Sequence, residues 1–157
     1  MQVNDILNLV RKIPLFAGLQ PSQVRELLSE GEVRKFRPTQ LMCREGEESQ
    51  FLFIVLRGKV AVQKDDTTVA HISAVEIVGE MGVITDSPRC ATLFAEDDVT
   101  VMTIPKNRFN YAVGLDAEVA ATIYRNVLHS NFGKLQAMNE HFLEHLSGGG
   151  FGLATTV

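Results

Sequence analysis

Apolar residues in the first thirty positions recur at helical spacing. Ile6, Leu7, Leu9 and Val10 precede a break at Ile13-Pro14-Leu15-Phe16-Ala17-Gly18-Leu19. A second short helix opens at Pro21, whose fixed φ suits a first helical turn, and it carries Val24, Leu27 and Leu28 on one face. From about Val33 to Ile104 the pattern changes to strands separated by turns. Val60 and Val62 alternate with Lys59, Ala61 and Gln63, and further strands are expected at Leu41 to Cys43, Phe51 to Leu56, Val69 to Ile72, Thr92 to Ala95 and Val99 to Ile104. Turn residues lie between them at Arg44 to Ser49, Asp65-Asp66 and Glu96-Asp97-Asp98. So many short strands in about seventy residues predict a β-sandwich or roll.

The last zone is helical again. Pro105 is expected to begin a short helix through Phe109 to Val113, with Gly114 stopping it. Asp116 then stands where an N-cap belongs, ahead of a long pattern to about Leu146. Tyr124, Leu128, Leu135, Met138 and Phe142 follow a/d spacing, with Asn131 as the one polar member. Such a seam predicts pairing with a second copy, the Asn setting register; the alternative is an amphipathic helix folded back on the roll. The chain is thus expected to form one mainly β domain over 1–146, with a dimerisation helix at 116–146. A disordered Gly-rich tail is expected at 147–157.

Composition narrows the function. In 157 residues, 15 Lys and Arg face 19 Asp and Glu, for a net charge of −4, and 45% of residues are hydrophobic. That is one globular domain, and its mildly acidic balance disfavours sequence-independent nucleic-acid binding, which needs cations for phosphates. Two cysteines exclude a disulfide scaffold. No apolar run approaches the ~18 residues of a membrane span. Met1 to Asp5 lacks the start of a signal peptide, so a soluble cytoplasmic protein is expected.

One stretch combines parts suited to a phosphorylated sugar. Gly79 and Gly82 allow close approach of backbone to a ligand, and a helical turn from Glu80 presents N–H groups to an anion. Pro88 stiffens the chain before Arg89, whose planar guanidinium grips two phosphate oxygens. Glu80 can accept from a ribose hydroxyl. The same two residues could instead form a Glu80–Arg89 ion pair that only braces a loop.

Gly79-Glu80-Met81-Gly82 followed by Pro88-Arg89-Cys90-Ala91-Thr92, with seven residues between Glu80 and Pro88, resembles the phosphate-binding cassette of the cyclic-nucleotide-binding domains. These are the domains of the catabolite activator protein, kinase regulatory subunits and cyclic-nucleotide-gated channels. Ile13-Pro14-Leu15-Phe16, Arg44-Glu45-Gly46, Phe53 to Val60 and Ile104 to Phe109 resemble further family segments in order. The resemblance implies a double-stranded, jelly-roll-like β-roll with N-terminal helices and a long C-terminal helix.

It also implies roles. Arg89 would take the phosphate with N–H groups around Met81, Cys90 and Ala91, while Glu80 beside Gly79 would hold the ribose 2′-hydroxyl. Asn131 or Lys134 would cover the base. Cys90 stands where a Thr or Ser hydroxyl favours guanine in many members; a thiol donates weakly, so cAMP is expected over cGMP. Two turns depart from the family pattern. Ala74-Val75-Glu76 replaces a common Pro-Gly-Asp, and Pro38-Thr39-Gln40 lacks a usual Gly, so both turns are expected to differ in shape.

The expected function is a cyclic-nucleotide sensor whose C-terminal helix moves on binding, acting as a homodimer on another protein. A ligand-free dimeric scaffold is the second reading. Only eleven residues follow Leu146, so direct DNA binding is not expected, nor is a membrane partner. No catalytic residue, metal or cofactor is expected. His141 and His145 have helical metal-ligand spacing but are read as solvated or seam residues, and His71 stands alone. The acidic run Glu45 to Glu48 reads as a solvated turn, and Cys43 as a core residue that does not pair with Cys90.

Overall fold

The computed structural model describes residues 3–148. Helix α1 (Val3–Val10), a 3-10 turn (Pro14–Phe16) and α2 (Pro21–Leu28) precede eight strands. These are β1 (Glu32–Phe36), β2 (Leu41–Cys43), β3 (Phe51–Arg57), β4 (Val60–Lys64), β5 (Thr67–Ile72), β6 (Glu76–Val78), β7 (Thr92–Ala95) and β8 (Val99–Pro105). Helix α3 (Glu80–Thr85) interrupts them after β6, and α4 (Lys106–Gly114) and α5 (Ala117–Gly148) close the domain. Two antiparallel four-stranded sheets, ordered β1-β8-β3-β6 and β2-β7-β4-β5, form the expected roll.

Strand β3 shows why its sequence is a continuous apolar run rather than an alternating one. Phe53 and Val55 point into the roll against Val60, Leu93, Ala95, Val99 and Val101. Leu52, Ile54 and Leu56 point the other way, into a second core with the helices that includes Val10, Phe16, Val24, Phe109 and Ile123. A strand covered on both faces has no polar side to display.

Two strands lack the patterns that mark the others. β1 is an edge strand with mostly exposed residues, paired only with β8. β6 has three residues and leads straight into α3. Pro105 ends β8 and stands at the N-cap position, so α4 begins one residue later than expected. The Asp116 cap is as expected: its Oδ1 accepts from the N–H groups of Glu118 at 2.8 Å and Val119 at 3.4 Å.

The two turns that lack glycine do not change shape as expected. Thr39 and Val75 both adopt φ of +69°, the left-handed conformation that glycine would supply. Each turn is held by a backbone bond at its strained residue: Thr39 N–H donates to Ala95 O and Val75 N–H to Val55 O, both at 2.7 Å. The roll imposes the conformation against a local cost of about 1–2 kcal/mol for a residue with a Cβ.

Helix α5 turns Val119, Ile123 and Val127 inward. Asn126 Nδ2 ties it to the 3-10 turn, donating to Leu15 O at 2.9 Å and Ala17 O at 2.8 Å. Tyr124, Leu128, Leu135, Met138 and Phe142 of the a/d series, with Phe132 beside them, are 49–71% exposed. Asn131 departs from that stripe and turns toward α3. The helix runs through Ser147 and Gly148; the remainder of the expected Gly-rich tail lies outside the described residues.

Candidate functional site

The cassette forms one wall of a cavity of about 560 Å³. Its lining includes Gly79, Glu80, Met81, Gly82, Arg89, Cys90 and Ala91, with β4–β6 on one side and Asn126, Ser130, Asn131 and Lys134 of α5 across from it. Every site residue singled out from sequence therefore borders the same space.

Arg89 is the anchor, and its backbone is held from both sides. Gly46 N–H donates to Arg89 O, and Arg89 N–H donates to Glu47 O, each at 2.8 Å. The exposed side chains of the Glu45–Glu48 run fit a solvated turn, but its backbone has a second role, as the clasp that fixes Arg89. The guanidinium lies over the Phe53 ring at 5.0 Å and donates through Nη2 to Phe51 O. Its neighbour must lack a side chain: Gly79 has φ of +85°, and a Cβ there would sit 2.0 Å from Arg89 Nη1. At 7% exposure, Arg89 is a buried cation. Its Nε and Nη1 have no hydrogen-bond partner among the described residues. Desolvation lowers the Arg89 pKa from its ordinary value, with smaller opposing contributions from Cys43, Cys90 and Glu47. A guanidinium stays charged at neutral pH, so what burial creates is a demand for an anion.

Glu80, 8% exposed, does not meet that demand. Its Oε1 lies 3.7 Å from Lys134 Nζ of α5, and no Glu80–Arg89 pair is present among the described residues. The loop-bracing ion pair left open by the sequence is thereby excluded. Asn131 Nδ2 donates to Met81 Sδ at 3.2 Å and to Val127 O at 2.9 Å. Both lid candidates thus touch the cassette directly.

Gly82 supports the wall from behind, since a Cβ there would meet Ser49 Oγ at 2.0 Å. Asn110 Nδ2 donates to Val83 O at 3.2 Å, and Lys106 pairs with Asp86, so α3 is joined to α4. Sequence reasoning missed Ser49, Phe51, Phe53 and Lys106. Phe51 acts through a carbonyl and Phe53 through a ring face, neither of which residue type announces. Among the described residues no group of three or more His, Cys, Asp and Glu converges as a metal site would. No helix among the described residues is long and apolar enough to cross a membrane.

Comparison with known proteins agrees with this geometry. Residues 33–114 match the family described as "Cyclic nucleotide-binding domain". The chain is 27% identical over 107 residues to a cAMP-dependent protein kinase regulatory subunit of Hypocrea atroviridis, covering 68% of this chain and 23% of the relative. It is 30% identical over 121 residues to human cGMP-dependent protein kinase 2, covering 71% of this chain and 16% of the relative. The chain therefore spans less than a quarter of either relative. In fold it resembles a cyclic nucleotide-binding domain from Methylobacillus flagellatus, with a TM-score of 0.76, 22% identity and coverage of 98% and 86% of the two chains. The roll, the cassette and the family match converge: this chain belongs to the cyclic nucleotide-binding domain family.

Proposed function

We propose that the cavity binds a cyclic nucleotide, cAMP in preference to cGMP, and that the domain acts as a sensor coupling occupancy to the position of α5. The observation that carries this reading is the buried guanidinium of Arg89, a residue that borders the cavity and has two donors without a partner among the described residues. A cyclic phosphate satisfies both, with N–H groups of Met81, Cys90 and Ala91 assisting. Glu80 beside Gly79 accepts from the ribose 2′-hydroxyl, and Asn131 and Lys134 cover the base. The volume suits a ligand of this size. Coupling follows if the nucleotide binds one arrangement of α5 more tightly than another, because only differential affinity shifts an equilibrium. The exposed a/d stripe supports a homodimer through α5, since a second copy of the same helix offers the complementary seam.

Calorimetric titration with cAMP and cGMP tests the ligand. Heat is expected with both, with tighter binding of cAMP. Arg89→Ala is expected to weaken affinity at least about a hundredfold, the loss of two charge-assisted hydrogen bonds. Absence of heat with either nucleotide leaves the ligand-free scaffold. Light scattering tests the dimer: the unmodified chain should have twice the mass of Leu135→Asp, which places a charge in the seam.

A further inference from the structure

The two cysteines border the same cavity but differ in access. Cys43 is 7% exposed, whereas Cys90 is exposed at the cavity wall beside Arg89. Burial pushes the Cys43 thiol above its ordinary value, with Arg89 opposing, so Cys43 is a poor nucleophile. Cys90 follows directly on Arg89, the one buried cation among the described residues, whose Nε and Nη1 lack partners there. A cation with no compensating anion among the described residues therefore borders the same cavity as an accessible thiol.

We propose that Cys90 is a modification site: an anionic low-molecular-weight disulfide of the glutathione type thiolates it, and this adduct and a cyclic nucleotide exclude one another. The inference rests on the nucleotide-binding reading for its second half. A carboxylate of the reagent is drawn to the uncompensated charge of Arg89 at the cavity wall, bringing the disulfide to Cys90. The Cys90 thiolate attacks one sulfur of the reagent. A new S–S bond forms, the reagent's S–S bond breaks, and the second half leaves as a thiolate that takes up the proton Cys90 lost. One disulfide is exchanged for another, so no further oxidant is needed. The attached tripeptide then occupies the cavity and covers Arg89. Cys43 does not release it readily, because its own thiolate is disfavoured by burial.

The full chain, reduced, is incubated with glutathione disulfide and followed by intact-mass and peptide-mapping mass spectrometry, with and without saturating cAMP. One glutathionyl group on Cys90 is expected. At cAMP about a hundred times its Kd, labelling should slow by up to about a hundredfold, since about one chain in a hundred is then open. The purified adduct should give no calorimetric heat with cAMP, and dithiothreitol should restore it. Cys90→Ser should resist thiolation. An intrachain Cys43–Cys90 disulfide, no adduct at Cys90, or an adduct that binds cAMP as well as the reduced chain would each overturn the proposal. If the reduced chain itself gives no heat with cAMP or cGMP, the nucleotide reading falls and the exclusion with it. Heat that is equal before and after thiolation leaves the nucleotide reading standing.

Discussion

The two walls of the cavity are built in opposite ways. On the cassette side, Arg89 is clasped by the Gly46–Glu47 backbone, set on Phe53 and pressed against Gly79, all within the roll. On the α5 side, Lys134 reaches Glu80 across 3.7 Å with a side chain that is 63% exposed, and Asn131 meets the cassette through a methionine sulfur. A buried, over-determined group is preorganised and loses little freedom when a ligand arrives. An ion pair at 3.7 Å whose lysine lies mostly in solvent holds less firmly than that, so the helical wall is the looser of the two. Under the proposed function, the difference would put affinity in the roll and response in α5.

Gly79→Ala attacks the firm wall directly. The added Cβ must displace the guanidinium, and the left-handed backbone adds a cost of about 1–2 kcal/mol. Nucleotide affinity is expected to fall at least about tenfold, and the melting temperature to fall as well, by calorimetry and thermal unfolding. Lys134→Ala attacks the loose wall. Affinity is expected to change by less than about threefold and stability by less than about 1 kcal/mol, while amide exchange in the α5 segment facing the cavity quickens. A loss equal to that of Gly79→Ala would erase the distinction between the walls. Thr39→Gly is the smallest change and touches neither. Relieving its φ of +69° should raise unfolding free energy by roughly 0.5–1 kcal/mol after the entropy of glycine is subtracted, with nucleotide affinity unaltered.

Much of the architecture was legible because the local signals were strong. The Asp65-Asp66 turn between β4 and β5 uses positive φ at both residues, as a two-residue hairpin loop demands, and Asp tolerates that conformation. β1 and β6 escaped because an exposed edge and a three-residue strand carry little periodicity. The site's residue types were legible in the cassette; their supports were not. Nothing in Gly46 or Glu47 identifies them as the clasp on Arg89, since that role belongs to backbone groups every residue has.

Residue order alone determined the alternation of apolar and turn positions, hence the roll, and the presence of Gly79, Glu80, Gly82 and Arg89 in cassette spacing. Those are local properties, carried by side-chain chemistry and by periods of two or 3.6 residues. Packing decided that Thr39 and Val75 adopt backbone angles their own side chains resist, that Glu80 faces Lys134 rather than Arg89, and that Arg89 keeps two donors unpaired. Each depends on groups distant in sequence meeting, and for Arg89 in a space from which water is excluded. The balance between a buried charge and its missing partner exists only once that space has formed.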